Sequence, residues 1–155
     1  MIRLSKMTDY AIVLMGYISC HPANEMCTSR GLAEESQLPL PTVSKILKGL
    51  SRAGLLISHR GNKGGYILVR ESSEISIAEI ITAMEGGFAL TECSSTAPVL
   101  CELEQSCPVR SNWKKINKAV SGALAGLTLD EMAAPVSKSP SQSGKDQTLL
   151  KLVKR

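Results

Sequence analysis

The residues with the most specific chemistry lie at Cys93-x7-Cys101-x5-Cys107, followed directly by Pro108. Thiolates are soft donors, and three of them on one irregular stretch suit iron–sulfur ligation. Structural zinc usually takes four ligands at tighter spacing. Three unrelated buried thiols are the plain alternative. Three cysteines also leave one coordination position open: Glu92, Glu102 and Glu104 are close in sequence, whereas His21 and His59 are remote. The chain has five cysteines in all, an odd number, with no export signal. That favours reduced thiols or metal ligands over a disulfide framework. No paired carboxylate site, phosphate loop or nucleophile–base pair is found, and Gly64-Gly65 lacks the strand–GxGxxG–helix context. An enzyme is therefore not expected. An interaction protein with inert thiols is the remaining non-regulatory reading.

The second chemical feature is charge placement. Lys45, Lys48, Arg52, Arg60, Lys63 and Arg70 fall within residues 41–70, where there is no acid. The next stretch, 71–107, holds seven Glu and neither Lys nor Arg. One segment is built to meet phosphate and the following one to avoid it, although the whole chain carries only +4. Aromatic residues make up 3% of the chain, which argues against stacking platforms for single strands.

The elements that position these groups follow from periodicity and capping. Thr8 is a candidate N-cap for a buried helix over 8–20, ended by His21-Pro22-Ala23-Asn24. Thr28 caps a short helix from Ser29 to Ser36. After Gln37-Leu38-Pro39-Leu40, Pro41 suits the first turn of a third helix. There Val43, Ile46, Leu47 and Leu50 share one face by spacing. Thr42, Ser44, Lys45, Lys48 and Arg52 occupy the other, and Gly54 stops the helix. Two short β segments, 55–59 and 66–69, flank Arg60-Gly61-Asn62-Lys63-Gly64-Gly65. Glycines at such a tip allow close backbone approach, and Arg suits a narrow minor groove. Ser76 and Glu79 form a capping box for a helix over 77–84. Pro108 opens a long helix to about Gly126, with Trp113, Ile116, Val120 and Leu124 on one stripe. Thr128 and Glu131 form a second capping box.

Two helices, a tight turn, a third helix and a basic Gly-rich hairpin make a winged helix-turn-helix. The expected fold is mainly α with a small β-hairpin, plus a long dimerisation helix. Residues 1–87 would form the DNA-binding domain and 88–107 the cysteine-rich cluster-binding loop. Residues 108–134 would hold the dimerisation helix and a short C-terminal helix, and 135–155 a disordered basic tail. Thr42, Ser44 and Lys45 are expected to read base edges, Lys48 and Arg52 to meet phosphate, and Arg60 and Lys63 to act from the wing. At 155 residues the chain fits one compact domain with a real core. No apolar run spans a bilayer and MIRLSKMTDY is too polar for a secretory h-region, so the expected location is cytoplasmic, away from membranes.

From Leu4-Ser5-Lys6 to about Met132 the sequence resembles the winged-helix iron–sulfur regulators that include IscR and NsrR. The matching pieces are Thr8-Asp9-Tyr10-Ala11, Leu40-Pro41-Thr42-Val43-Ser44-Lys45, the stretch from Arg60 to Tyr66, and the three cysteines. Leu90-Thr91-Glu92-Cys93, Cys107-Pro108 and Asn112-Trp113 look most like the SUF-system iron–sulfur assembly regulator. The resemblance implies a homodimer joined through the long helix, a two-fold-related double-stranded operator, and a [2Fe-2S] or [4Fe-4S] cluster on Cys93, Cys101 and Cys107 that tunes repression. It also leaves a nitric-oxide-sensing repressor of the NsrR type as the alternative. Cys93 and Cys101 stand further apart than in IscR and NsrR, and Arg110 occupies the position where IscR-like members carry a histidine. In NsrR-like members an aspartate from the first helix of the partner subunit ligates. Asp9 matches that position and is the fourth-ligand candidate; otherwise it is a helix N-terminal charge favoured by the macrodipole.

Overall fold

The computed structural model describes residues 3–23, 25–61, 64–94, 101 and 106–133. Helix α1 (Lys6–Cys20), α2 (Ser29–Ser36) and α3 (Leu40–Arg52) lead into an antiparallel hairpin of β1 (Leu56–His59) and β2 (Gly65–Leu68). Then come α4 (Ile77–Glu85), α5 (Arg110–Ala125) and α6 (Leu129–Ala133), with short 3-10 turns at Ser72–Glu74 and Glu92–Ser94. The expected winged helix-turn-helix architecture is present. The tail expected over 135–155 lies outside the described residues.

The α3 stripe behaves as its spacing predicts: Val43, Ile46, Leu47 and Leu50 are all fully buried. They meet Leu14 and Met15 of α1, Leu32 of α2 and Ile80 of α4 in one core. Each such side chain contributes about 1.5–3 kcal/mol by leaving water. Ala53 caps α3 and Gly54 follows at φ +77°, the left-handed conformation that frees the chain to turn into β1.

Three starting points differ from the sequence reading. Helix α1 begins two residues before Thr8, and Ser5 is its cap, accepting from the Thr8 amide at 3.2 Å. Thr8 is instead fully buried, and its hydroxyl donates to Glu85 Oε1. Helix α5 begins at Arg110 rather than Pro108, because Val109, at φ −105° and ψ 3°, has not yet entered helical geometry. Each strand lies one residue from its expected bounds, in a register that sets Leu56 against Leu68 and His59 against Gly65.

Helix α6 does not sit with α5 as a separate unit. The Leu129 amide donates to the Ile75 carbonyl at 2.8 Å and the Ile77 amide to the Leu127 carbonyl at 2.9 Å. Leu129 is fully buried in the same core as α1 and α3. The chain thus leaves the winged unit after α4, runs through the cysteine segment and α5, and returns to close that core with α6.

Candidate functional site

The basic face is built on α3 and the wing. Burial of the α3 stripe turns Lys45, Lys48 and Arg52 outward, and all three are exposed. Thr42 and Ser44 are half-buried near the helix N-terminus, on the same outer side. Arg60 is exposed at the end of β1, and Lys63 lies outside the described residues. A cleft of about 350 Å³ brings Lys48 and Arg60 together with His59, Thr28 and Ser29. Thr28 Oγ1 accepts from the Gly31 amide at 3.0 Å, so the start of α2 is a capped helix N-terminus at the edge of that cleft. Such an end favours anions, and two cations beside it make a seat of the kind a phosphate group fits. Sequence reasoning missed the α2 contribution and His59. The Thr28 cap was legible, but its position beside Lys48 depends on tertiary packing.

The wing is anchored from behind. Cys27 pairs with Tyr66 as a two-bond bridge, Cys27 N to Tyr66 O at 3.1 Å and Tyr66 N to Cys27 O at 2.9 Å. A Cβ at Gly65 would lie 2.8 Å from the Cys27 carbonyl oxygen, and one at Gly64 would strike the His59 carbonyl. Gly64 and Gly65 therefore serve close approaches within the chain itself. The Cys27 thiol is buried in this bridge. Burial, reinforced by Glu35 and Glu25, pushes its pKa up to about 11 and leaves it unreactive.

Arg70 is withdrawn from the basic block. Its guanidinium donates to Glu79 Oε1 at 2.6 Å and to the Glu74 carbonyl at 3.2 Å. Glu79 Oε2 also accepts from the Ser76 amide at 2.8 Å, completing the expected capping box. The Arg70 hydrogen bond first, and the Ser76 amide next, hold the Glu79 carboxyl below the usual range. Among the described residues, Lys45, Lys48, Arg52 and Arg60 remain exposed to an external polyanion.

The cysteine segment is held at both ends. Cys93 lies in the Glu92–Ser94 turn, where the Ser94 amide donates to the Thr91 carbonyl at 3.0 Å. Cys107 stands just before α5, its carbonyl accepting from the Arg110 amide at 3.4 Å. Cys101 and Cys107 are free, half-buried thiols. These two partly sheltered sulfur donors on one segment are of the chemical kind an iron–sulfur group takes. Asp9 is exposed in the first turn of α1, and among the described residues no three His, Cys, Asp or Glu side chains converge.

Helix α5 carries no buried residue. Trp113 and Ile116 are 38% and 45% exposed, and Val109 and Leu127, just beyond either end of the helix, are 45% and 44% exposed. Leu124, placed with them by spacing, instead packs on the core. Among the described residues no helix is long and apolar enough to cross a membrane.

Comparisons with known proteins agree with this architecture. The family model described as "Rrf2: Iron-dependent Transcriptional regulator" matches residues 4–135. Protein aau3 of Rhizobium meliloti is 31% identical over 135 residues, covering 84% of each chain. The HTH-type transcriptional regulator IscR of Serratia proteamaculans is 27% identical, covering 84% of this chain and 78% of its own. Among solved structures, CymR, the global cysteine regulator of B. subtilis, superposes with a TM-score of 0.70 at 27% identity. That match covers 87% of this chain and 98% of CymR.

Proposed function

The chain belongs to the Rrf2 family of iron-dependent transcriptional regulators, and on that premise, a DNA-binding regulator and not an enzyme, we propose that it is a homodimeric repressor controlled by an iron–sulfur cluster. Cys93, Cys101 and Cys107 are the proposed thiolate ligands, with Asp9 of the partner subunit in the fourth position. When bound, the cluster supplies a linkage between thiolates that oxidants and acid can break. The proposed targets are SUF iron–sulfur assembly genes.

The observation that carries this reading is the position of the cysteine segment. It joins the winged unit to an α5 on which, among the described residues, no side chain is buried and Trp113 and Ile116 stand exposed. A second copy laid along Val109, Trp113 and Ile116 would remove that side from water. Two winged units would then present two α3 helices to half-sites of one operator. Thr42, Ser44 and Lys45 would meet base edges, and Lys48 and Arg52 would meet phosphates. Arg60 and Lys63 would act from the wing. Ordering the cysteine segment changes how the two units are set, and half-site spacing tolerates little error. A cluster shifts that equilibrium only by its differential affinity for the two settings.

The test is anaerobic purification followed by operator binding. The expected protein is coloured, with visible absorbance. Alanine at any of the three cysteines abolishes the colour and changes operator affinity. Identical affinity in cluster-loaded, metal-free and triple-alanine protein would overturn the sensor reading. A promoter that answers cluster demand but not nitric oxide separates the proposed role from that of an NsrR-type repressor.

A further inference from the structure

Helix α5 touches its own chain at few points, and one of them is polar. Arg110, Asn117, Ser121 and Leu124 are half-buried and lie at spacings of seven, four and three, one face of the helix. Leu124 packs on the core at the C-terminal end of this face. In the middle, the Asn117 carboxamide reaches back 27 and 29 residues. Its Oδ1 accepts from the Leu90 amide at 2.9 Å and its Nδ2 donates to the Phe88 carbonyl at 3.4 Å. Phe88 in turn packs against the core. A side-chain amide that satisfies one backbone donor and one backbone acceptor fixes the strand of chain it reads in both position and direction. That strand runs straight into Thr91, Glu92 and Cys93.

We propose that Asn117 is the positioning residue that locks the cysteine-bearing 91–94 turn to α5, and so sets the register between Cys93 and Cys107. This rests on the cluster reading above. Leu124 holds the C-terminal end of α5 against the core, and Asn117 adds a polar point of hold in its middle. With both in place the helix cannot rotate about its axis without breaking two hydrogen bonds to the segment that leads to Cys93. Trp113 and Val120 lie one turn to either side of Asn117, so the same amide sets how the apolar side of α5 is aimed relative to the cysteines. Asn117 thereby links the cysteine segment to the proposed dimer face while touching neither DNA nor a ligand thiol.

Two variants grade the contact. Asn117→Leu keeps the branching and heavy-atom count of the side chain and removes both hydrogen bonds. Asn117→Asp can still accept from Leu90 but cannot donate to Phe88. In metal-free protein, hydrogen exchange at the Leu90 amide should quicken about tenfold in the leucine variant and less in the aspartate variant, the size expected for loss of one or two net hydrogen bonds. In protein reconstituted anaerobically with iron and sulfide, the leucine variant should show an altered visible circular dichroism spectrum. It should also lose iron to a chelator several-fold faster, with the aspartate variant intermediate. Binding of either variant to non-operator DNA should match the wild type, which shows that the winged unit is intact. Unchanged Leu90 exchange overturns the contact itself. Faster exchange with an unchanged spectrum and unchanged iron loss leaves Asn117 a merely structural residue and overturns the positioning role. A wild-type protein that stays colourless after reconstitution overturns the cluster reading, and this role with it, whatever the variants do.

Discussion

Helices α3 and α5 carry apolar stripes of the same kind, and the fold treats them in opposite ways. Val43, Ile46, Leu47 and Leu50 of α3 are fully buried, whereas Trp113 and Ile116 of α5 remain well over a third exposed. Capping does not explain the difference. Helices α1, α2 and α4 each start on a Ser or Thr whose hydroxyl accepts from a backbone amide, while α3 starts on Pro39 and α5 on Val109, both without a side-chain cap. Helix α3 is held instead by its covered stripe. A helix that has neither depends on something outside it. Periodicity says that a stripe will be covered, and tertiary context decides by what.

The largest effect expected from this contrast is in stability. Leu47→Ala should lower the unfolding free energy by about 2–5 kcal/mol at any protein concentration. Ile116→Ala should change the unfolding of dilute monomer by less than about 0.5 kcal/mol, as for a surface site. Its effect should appear instead as weaker self-association in sedimentation. Denaturant titrations at low and high protein concentration separate the two. Equal costs in dilute protein would mean that α5 is covered by its own chain, and the contrast between the helices would fail.

A smaller effect sharpens the contrast within the basic face. Lys48 lies in the cleft with Arg60 and the start of α2, where a phosphate group fits, while Ser44 lies near the α3 N-terminus. Lys48→Ala should weaken binding to all duplexes alike and reduce the dependence of log affinity on log salt by roughly one unit. Ser44→Ala should leave that slope unchanged and alter the preferred sequence. Affinity measured across a salt series on two duplexes decides between them. If Lys48→Ala changes base preference and not the slope, the two roles have been assigned the wrong way round.

Most of the winged unit was legible because its signals are local. The α3 stripe, the Thr28 cap, the Ser76–Glu79 box and the Gly54 stop each lie within a turn or two of the residue they act on. What was not legible joins residues far apart. The Cys27–Tyr66 bridge gives Gly65 its reason, Glu79 takes Arg70 out of the basic block, and Leu129 returns α6 to the core. Each depends on a meeting that no spacing encodes. The candidate site divides in the same way. The two faces of α3 could be read from spacing, but the cleft beside Lys48 is assembled from α2, α3 and the wing. Likewise, Cys93, Cys101 and Cys107 could be read as a group from their spacing, but the amide that ties the chain before Cys93 to α5 comes from Asn117.

The smallest expected effect concerns another such long-range contact, between the first turn of α1 and the last residue of α4. Glu85 Oε1 accepts from the Ser5 amide at 3.0 Å and from the Thr8 hydroxyl. The Thr8 hydroxyl, with the Ser5 amide second, holds the Glu85 carboxyl below its ordinary value in the folded chain. A carboxyl with a depressed folded pKa adds stability that is fully present above its unfolded pKa and is lost as the pH falls through the folded one. Glu85→Gln keeps an oxygen to accept both bonds but carries no charge. At neutral pH the variant should be less stable by under about 1 kcal/mol, since the carboxylate is exposed and screened. As the pH drops below the usual glutamate range, near pH 4, the gap should close, because the wild type alone loses this contribution. Glu79 titrates in both proteins, so the difference between their urea midpoints, rather than either slope, reports Glu85. A gap that stays constant from pH 7 to pH 3 would mean that Glu85 holds α1 by shape and not by charge. The winged unit would then depend on this contact no more than α5 does on its uncapped start.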